Sequence, residues 1–149
     1  MPSNFHQHFA HFLLVALLCV AGIANAAPRF EVDYRVAFVP KDGEAEVTIR
    51  LTPGKARVSR LVFTMPEDRY SRIGGAGKIK RDGDLLRWEP PSKGGTLRYR
   101  YRIDKKRSNG AYDARITPDW VIVRGDGLVP SARVTTTKGA RSDATLHLD

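Results

Sequence analysis

The sequence predicts an all-β protein, an antiparallel β-sandwich of about eight or nine strands behind an N-terminal signal-peptide helix. Three observations predict it. Apolar residues recur at every second position in most segments after residue 27, the period of a strand with one face on a core and the other in water. Gly, Pro, Asn and Asp groups interrupt the alternation at roughly the eight-to-twelve-residue spacing of sandwich strands. No segment beyond residue 27 sustains the 3.6-residue period of an amphipathic helix.

Residues 1–26 contain no Asp, Glu, Lys or Arg, and Phe12 to Ile23 is an almost purely apolar run that ends in Ala24-Asn25-Ala26. That layout is a secretory signal peptide with a small-x-small cleavage site. The run is shorter than the roughly 20 residues a membrane-spanning helix needs. Residues 27–149 then form one domain, exported to the periplasm or secreted. His6, His8 and His11 fall in the removed segment and are set aside as metal ligands. Cys19 is the only cysteine, so the domain has no disulfide, thiolate nucleophile or cysteine metal ligand to use.

Phe30, Val32, Tyr34, Val36 and Phe38 make the first strand, Lys41-Asp42-Gly43 a hairpin turn, and Ala45, Val47, Ile49 and Leu51 the inward face of the return strand. A third strand runs from about Arg57 to Met65, with a bulge near Ser59 and Arg60 to restore its register. Pro66 to Tyr70 is a turn, and Glu67-Asp68 within it a solvated loop instead of an acid pair. Gly74-Gly75-Ala76-Gly77-Lys78 lacks the Ser or Thr, the glycine spacing and the following helix of a phosphate loop. Ile79 to Lys80 and Leu85 to Trp88 form a second hairpin around Asp82-Gly83. Leu97, Tyr99, Tyr101 and Ile103 give the next strand. Pro118 and Gly125 bracket Trp120-Val121-Ile122-Val123, an unbroken apolar run expected to be a central strand covered on both faces. Ala132 to Thr137 and Ala144 to Asp149 close the list, with Leu146 and Leu148 inward. Because the chain stops inside that last strand, it reads as a shortened form of something longer.

The chain carries 25 basic and 16 acidic residues, a net charge of +9. In an exported protein that balance reads first as a solvated exterior and next as a surface for an anionic envelope component such as lipid or polysaccharide, or for an acidic partner, and no nucleic acid is expected as a partner. The densest basic feature is Arg98, Arg100 and Arg102, which alternate with the apolar residues of their strand and continue into Lys105, Lys106 and Arg107. Guanidinium groups about 7 Å apart along a strand are able to hold phosphates or carboxylates in bidentate geometry. Balance by Glu31, Asp33, Glu44 and Glu46 on neighbouring strands is the preferred reading of that row.

Tyr112, Asp113, Arg115, Asp119, Arg124 and Asp126 surround the Trp120 run. Residue by residue they read as turn formers and solvated ion pairs. Taken together, Tyr112-Asp113-Ala114-Arg115, Asp119-Trp120 and Arg124-Gly125-Asp126-Gly127-Leu128-Val129-Pro130 resemble a segment of the N-terminal, non-catalytic domain of glycyl-aminopeptidase-like zinc metallopeptidases. The resemblance implies a catalytic peptidase domain as partner, reached through packing. It implies no chemistry in this chain, because the His-Glu-x-x-His helix that would hold zinc is missing and His147 stands without a second ligand. No catalytic residue, metal ligand or cofactor is therefore expected.

Two functional readings follow. One is an exported, non-catalytic sandwich related to the leading domain of those peptidases and truncated before the catalytic part. The other is a free-standing binding protein that uses the Arg98, Arg100, Arg102 face for an anionic envelope component. A hydrolase relying on Asp113 and Asp119 is the weakest of the possibilities.

Overall fold

Strict alternation sets the first hairpin. β1 (Arg29–Val39) and β2 (Glu44–Pro53) pair antiparallel, from Phe30 opposite Pro53 to Val39 opposite Glu44. The inward set of β2, Ala45, Val47, Ile49 and Leu51, is no more than 2% exposed. A 3-10 turn, Pro40–Asp42, joins the two strands, and Gly43 takes φ 68 at its end, a left-handed conformation that a residue without Cβ adopts readily. The structure is a computed structural model that describes residues 26–149. The expected signal segment, with His6, His8, His11 and Cys19, lies outside the described residues.

The remaining strands are β3 (Val58–Thr64), β4 (Tyr70–Gly75), β5 (Lys78–Asp82), β6 (Leu85–Glu89), β7 (Gly95–Arg102), β8 (Arg115–Ile116), β9 (Val121–Ile122), β10 (Ala132–Thr136) and β11 (Arg141–Leu148). They make a five-stranded sheet in the order β11-β1-β2-β7-β4, a four-stranded sheet in the order β10-β3-β6-β5, and a two-stranded ribbon of β8 and β9. The two larger sheets share one apolar core, which is the β-sandwich expected from the alternation. Trp88, Phe63, Ile49, Met65, Leu86 and Leu97 are its largest fully buried members. The Trp88 indole N–H donates to the Ala76 carbonyl at 2.7 Å, so its one polar atom enters the core with a partner. The bulge anticipated in β3 is at Ser59: the pairing with β10 steps from Arg60–Thr135 to Val58–Thr136 and leaves Ser59 unmatched.

Four expectations need correction. The Trp120–Val123 run is not a central strand. Only Val121 and Ile122 are extended, in the peripheral ribbon, and Trp120 and Ile122 are 48% and 67% exposed. Pro118 and Gly125 leave too short a stretch to pair with either large sheet, and Thr117 closes it into a turn by accepting the Trp120 N–H on its hydroxyl at 3.1 Å. Second, Tyr70 does not end a turn but opens a strand, β4, whose pairing with β7 skips from Ser71–Arg100 to Gly74–Arg98 and hides the alternation. Third, the sheets are not wholly antiparallel, since β11 lies parallel to β1. Leu146 and Leu148 do share the core-side face with Tyr34 and Val36, yet they are 52% and 59% exposed. Among the described residues, the four-stranded sheet offers this fifth strand no strand opposite to cover it. Fourth, a single helical turn, Gly125–Leu128, stands where only irregular chain was expected.

Candidate anion-binding site

The outer face of the five-stranded sheet carries the predicted arginine row, and register decides what each member does. Glu44 lies opposite Arg102, Glu46 opposite Arg100 and Thr48 opposite Arg98. Arg100 is consumed: its guanidinium holds Asp42 at 2.9 Å, Glu44 at 3.3 Å and Glu46 more closely still. Those carboxylates raise its pKa further, through the Glu46 hydrogen bond first. Arg98 and Arg102 are exposed and have no carboxylate partner among the described residues. The row is therefore interrupted at its centre, where one guanidinium meets three carboxylates.

The free cation Arg98 has a neighbour that no sequence pattern announced. Arg72 lies in the irregular segment of β4 at φ 50, the one non-glycine residue with positive φ among the described residues. Such a conformation costs about 1–3 kcal/mol and persists where the surroundings enforce it; here the bulge enforces it, with Arg72 and Ile73 of β4 set against Tyr99 alone. A bulge re-aims the side chain that it carries. Arg72 and Arg98 line a recess of about 210 Å³, together with Glu46, Val47, Thr48, Tyr99 and Arg100. Arg72 and Arg98, with no carboxylate partner among the described residues, thus line a recess with room for a phosphate or carboxylate group.

Lys105, Lys106 and Arg107 do not extend the row, because the chain leaves the sheet after Arg102. Lys105 pairs with Asp68, Arg107 with Asp113, and Lys106 stands exposed beside a backbone bridge to Tyr112. Arg69 reaches Asp113 at 3.2 Å and also donates to the carbonyls of Arg102 and Ile103. The two guanidinium groups, led by the hydrogen bond from Arg107, hold the Asp113 carboxyl below the usual carboxylate range. These residues, with Tyr101, Ala114 and Arg124, line an end cleft of about 300 Å³. Arg124 grips Asp126 at two points, at 3.0 and 2.6 Å, which lowers the Asp126 pKa.

The other residues of the 112–130 segment are structural. Tyr112 lies under the Arg115 guanidinium, 5.2 Å from its ring centre. Asp119 sits in the Thr117 turn, its N–H 3.4 Å from the Thr117 hydroxyl, and Pro130 is buried. Two core tyrosines pin the helical turn: Tyr70 donates to the Gly127 carbonyl and Tyr99 to the Leu128 carbonyl, both at 2.6 Å. Burial raises the pKa of both phenols well above ordinary, so they stay protonated as donors. Gly127 has no room for a side chain, since a Cβ there would sit 2.5 Å from the Tyr101 hydroxyl.

A second basic set also escaped the sequence. Arg133 lies opposite Val62, Val62 opposite Arg87 and Arg87 opposite Lys80, so three exposed cations from three strands form one row across the outer face of the four-stranded sheet. Residues that far apart in the chain meet only through strand pairing.

Fold and surface thus define an all-β sandwich module with a strongly basic exterior. No family model matches the chain, and no curated protein matches it. Two solved chains are similar in structure, both of the GH20 exo beta-N-acetylglucosaminidase from Vibrio harveyi, one in complex with N-acetylglucosamine and one an inactive mutant. Each shares 12% identity, with TM-scores of 0.39 and 0.37, over 80% of this chain and 18% of the enzyme. The chain spans less than a fifth of those enzymes, and a likeness of that depth carries no argument about activity. The resemblance of the 112–130 segment to a zinc metallopeptidase N-terminal domain is not borne out: no family model matches the chain, and the similar solved chains are glycoside hydrolases. The physical reason is that Tyr112, Asp113, Arg115, Asp119, Trp120, Arg124 and Asp126 are all exposed residues of turns and local pairs, a chemistry that unrelated surfaces share.

Proposed function

We propose that the chain is an exported, non-catalytic binding module for an anionic envelope component, and that it takes one phosphate or carboxylate group of that component in the recess between Arg72 and Arg98. The observation that carries this reading is the pair of guanidinium groups around Thr48 with no carboxylate of their own, in a row where Arg100 has three. Guanidinium groups bind oxyanions through paired N–H donors, and the net charge of +9 draws polyanions toward the surface before contact. Arg102 stands at the far end of the same strand as a second point of attachment.

The test is retention on heparin and on immobilised lipopolysaccharide along a salt gradient, because such binding weakens as ionic strength rises. The Arg72→Glu/Arg98→Glu variant is expected to elute at clearly lower salt than the Arg87→Glu/Lys80→Glu variant, which changes net charge equally on the opposite face. Equal losses in the two variants would reduce the effect to net charge, and a larger loss in the second would move binding to the other sheet. Either result overturns the recess.

A further inference from the structure

A sandwich with two open sheets has four edges, and here three of them are blunted. Edge strands expose unpaired backbone groups, and proteins protect them with bulges, short length, lysines or inward charges. β4 is bulged and contains the positive-φ Arg72. β10 has only 5 residues and pairs across the Ser59 bulge of β3. β5 has 5 residues, carries Lys78 and Lys80 outward, and turns Arg81 toward the carbonyls of Met65 and Tyr70. β11 is different. It runs for 8 residues, Arg141–Leu148, in unbroken register with β1, without proline or lysine, and all of it is exposed.

Among the described residues the backbone of β11 is half used. The N–H of Arg141 donates to Pro28, that of Asp149 to Val36, and the Asp149 carbonyl accepts from Phe38. The odd-numbered residues therefore turn their amides to β1, and Ser142, Ala144, Leu146 and Leu148 turn theirs to the free edge. Those even-numbered side chains form the uncovered apolar strip beside Tyr34.

We propose that β11 is a dimerisation strand, through which two copies of the chain pair their free edges antiparallel about a two-fold axis at Thr145 and join their five-stranded sheets into one. The occupant is a second copy because the strand is complementary to itself in this register alone. With Thr145 facing Thr145, Arg141 of one copy faces Asp149 of the other, and Asp143, already held by Arg29 at 2.6 Å, faces His147, already held by Asp33 at 3.1 Å, twice over by symmetry. On the apolar face Ala144 meets Leu146 and Ser142 meets Leu148, which places the two Leu146 side chains on a diagonal within reach of each other. Centring the axis on Leu146 would set Asp143 against Asp149, and centring it on Ala144 would set Arg141 against His147. Both lose the Arg141–Asp149 pair.

The experiment uses the purified chain with Cys19→Ser, so that any introduced cysteine stands alone. Sedimentation velocity over a concentration series is expected to show a reversible dimer with a Kd on the order of micromolar, typical of a modest interface. Ala144→Pro removes an N–H that points to the free edge and none that bonds to β1, and should weaken the dimer about tenfold or more. Thr145→Cys should cross-link under mild oxidation, since directly opposed residues at a non-hydrogen-bonded site lie about 4.5 Å apart between Cα atoms. A chain that stays monomeric throughout, a dimer indifferent to Ala144→Pro that Thr145→Cys does not trap, or cross-linking through Ala144→Cys or Leu146→Cys in place of Thr145→Cys would each overturn the proposal. So would a monomer that uses Leu146 and Leu148 to bind phospholipid vesicles.

Discussion

β2 and the Trp120–Val123 run are both apolar, and they end in opposite environments. In β2 every second residue is apolar and each of those is buried, while Glu44, Glu46, Thr48 and Arg50 face outward. The Trp120 run has four apolar residues in succession, yet Trp120 and Ile122 remain about half and two-thirds exposed. The difference teaches that periodicity predicts burial better than apolar density does. Alternation commits one face to a core, provided that the strand is long enough to pair on both edges, as β2 does with β1 and β7. A four-residue run between a proline and a glycine has neither the length nor the partners.

Substitutions at matched residues in the two regions should break or sharpen this contrast. Ile49→Ala in β2 is expected to cost about 2–5 kcal/mol of unfolding free energy, from the lost apolar transfer and the residual cavity. Ile122→Ala in the ribbon should stay within about 0.5 kcal/mol of the parent. Urea unfolding of the two variants measures both, and comparable losses would mean that the ribbon is covered in solution.

Between those extremes stands the helical turn that tethers the outer segment to the core. Tyr99→Phe leaves the packing intact and strands the Leu128 carbonyl, which the buried phenol alone approaches, and it should cost about 1–2 kcal/mol. The companion readout is proteolysis within residues 104–130, which should accelerate more than global unfolding does. If cleavage of this segment and global stability change in step, the segment is part of the cooperative core and the contrast with β2 disappears.

The smallest effect is electrostatic. Asp113 is held as a carboxylate by Arg107 and Arg69, so its folded pKa lies below its unfolded value. A depressed carboxylate adds stability at pH values above the ordinary carboxylate range and loses it as pH falls through the lowered value. Asp113→Asn should therefore leave stability at the lowest pH unchanged and reduce it slightly at neutral pH, flattening the acid limb of the stability curve. A parallel displacement of the whole curve would assign Asp113 a packing role instead.

The strand pattern was legible where the alternation is regular. β1, β2, β6 and β7, with the inward Leu86 and Trp88, are read directly from a period of two, and even the Ser59 bulge is announced by a break in the pattern. β4 was not legible, because a bulge and a left-handed Arg72 erase the period locally. The candidate site was legible only in part. Arg98, Arg100 and Arg102 stand out as a row, but nothing in their spacing distinguishes the one that holds three carboxylates from the two that hold none.

By itself the chain determined that it would form strands, which of their faces would be apolar, and that the surface would be basic, since all three follow from local composition and periodicity. Tertiary structure alone decided which strands became neighbours. Register placed Glu46 opposite Arg100 with Glu44 on its diagonal, brought Arg72 beside Arg98, and left Leu146 and Leu148 exposed. Pairing between strands depends on contacts across tens of residues, and a local pattern carries no record of them.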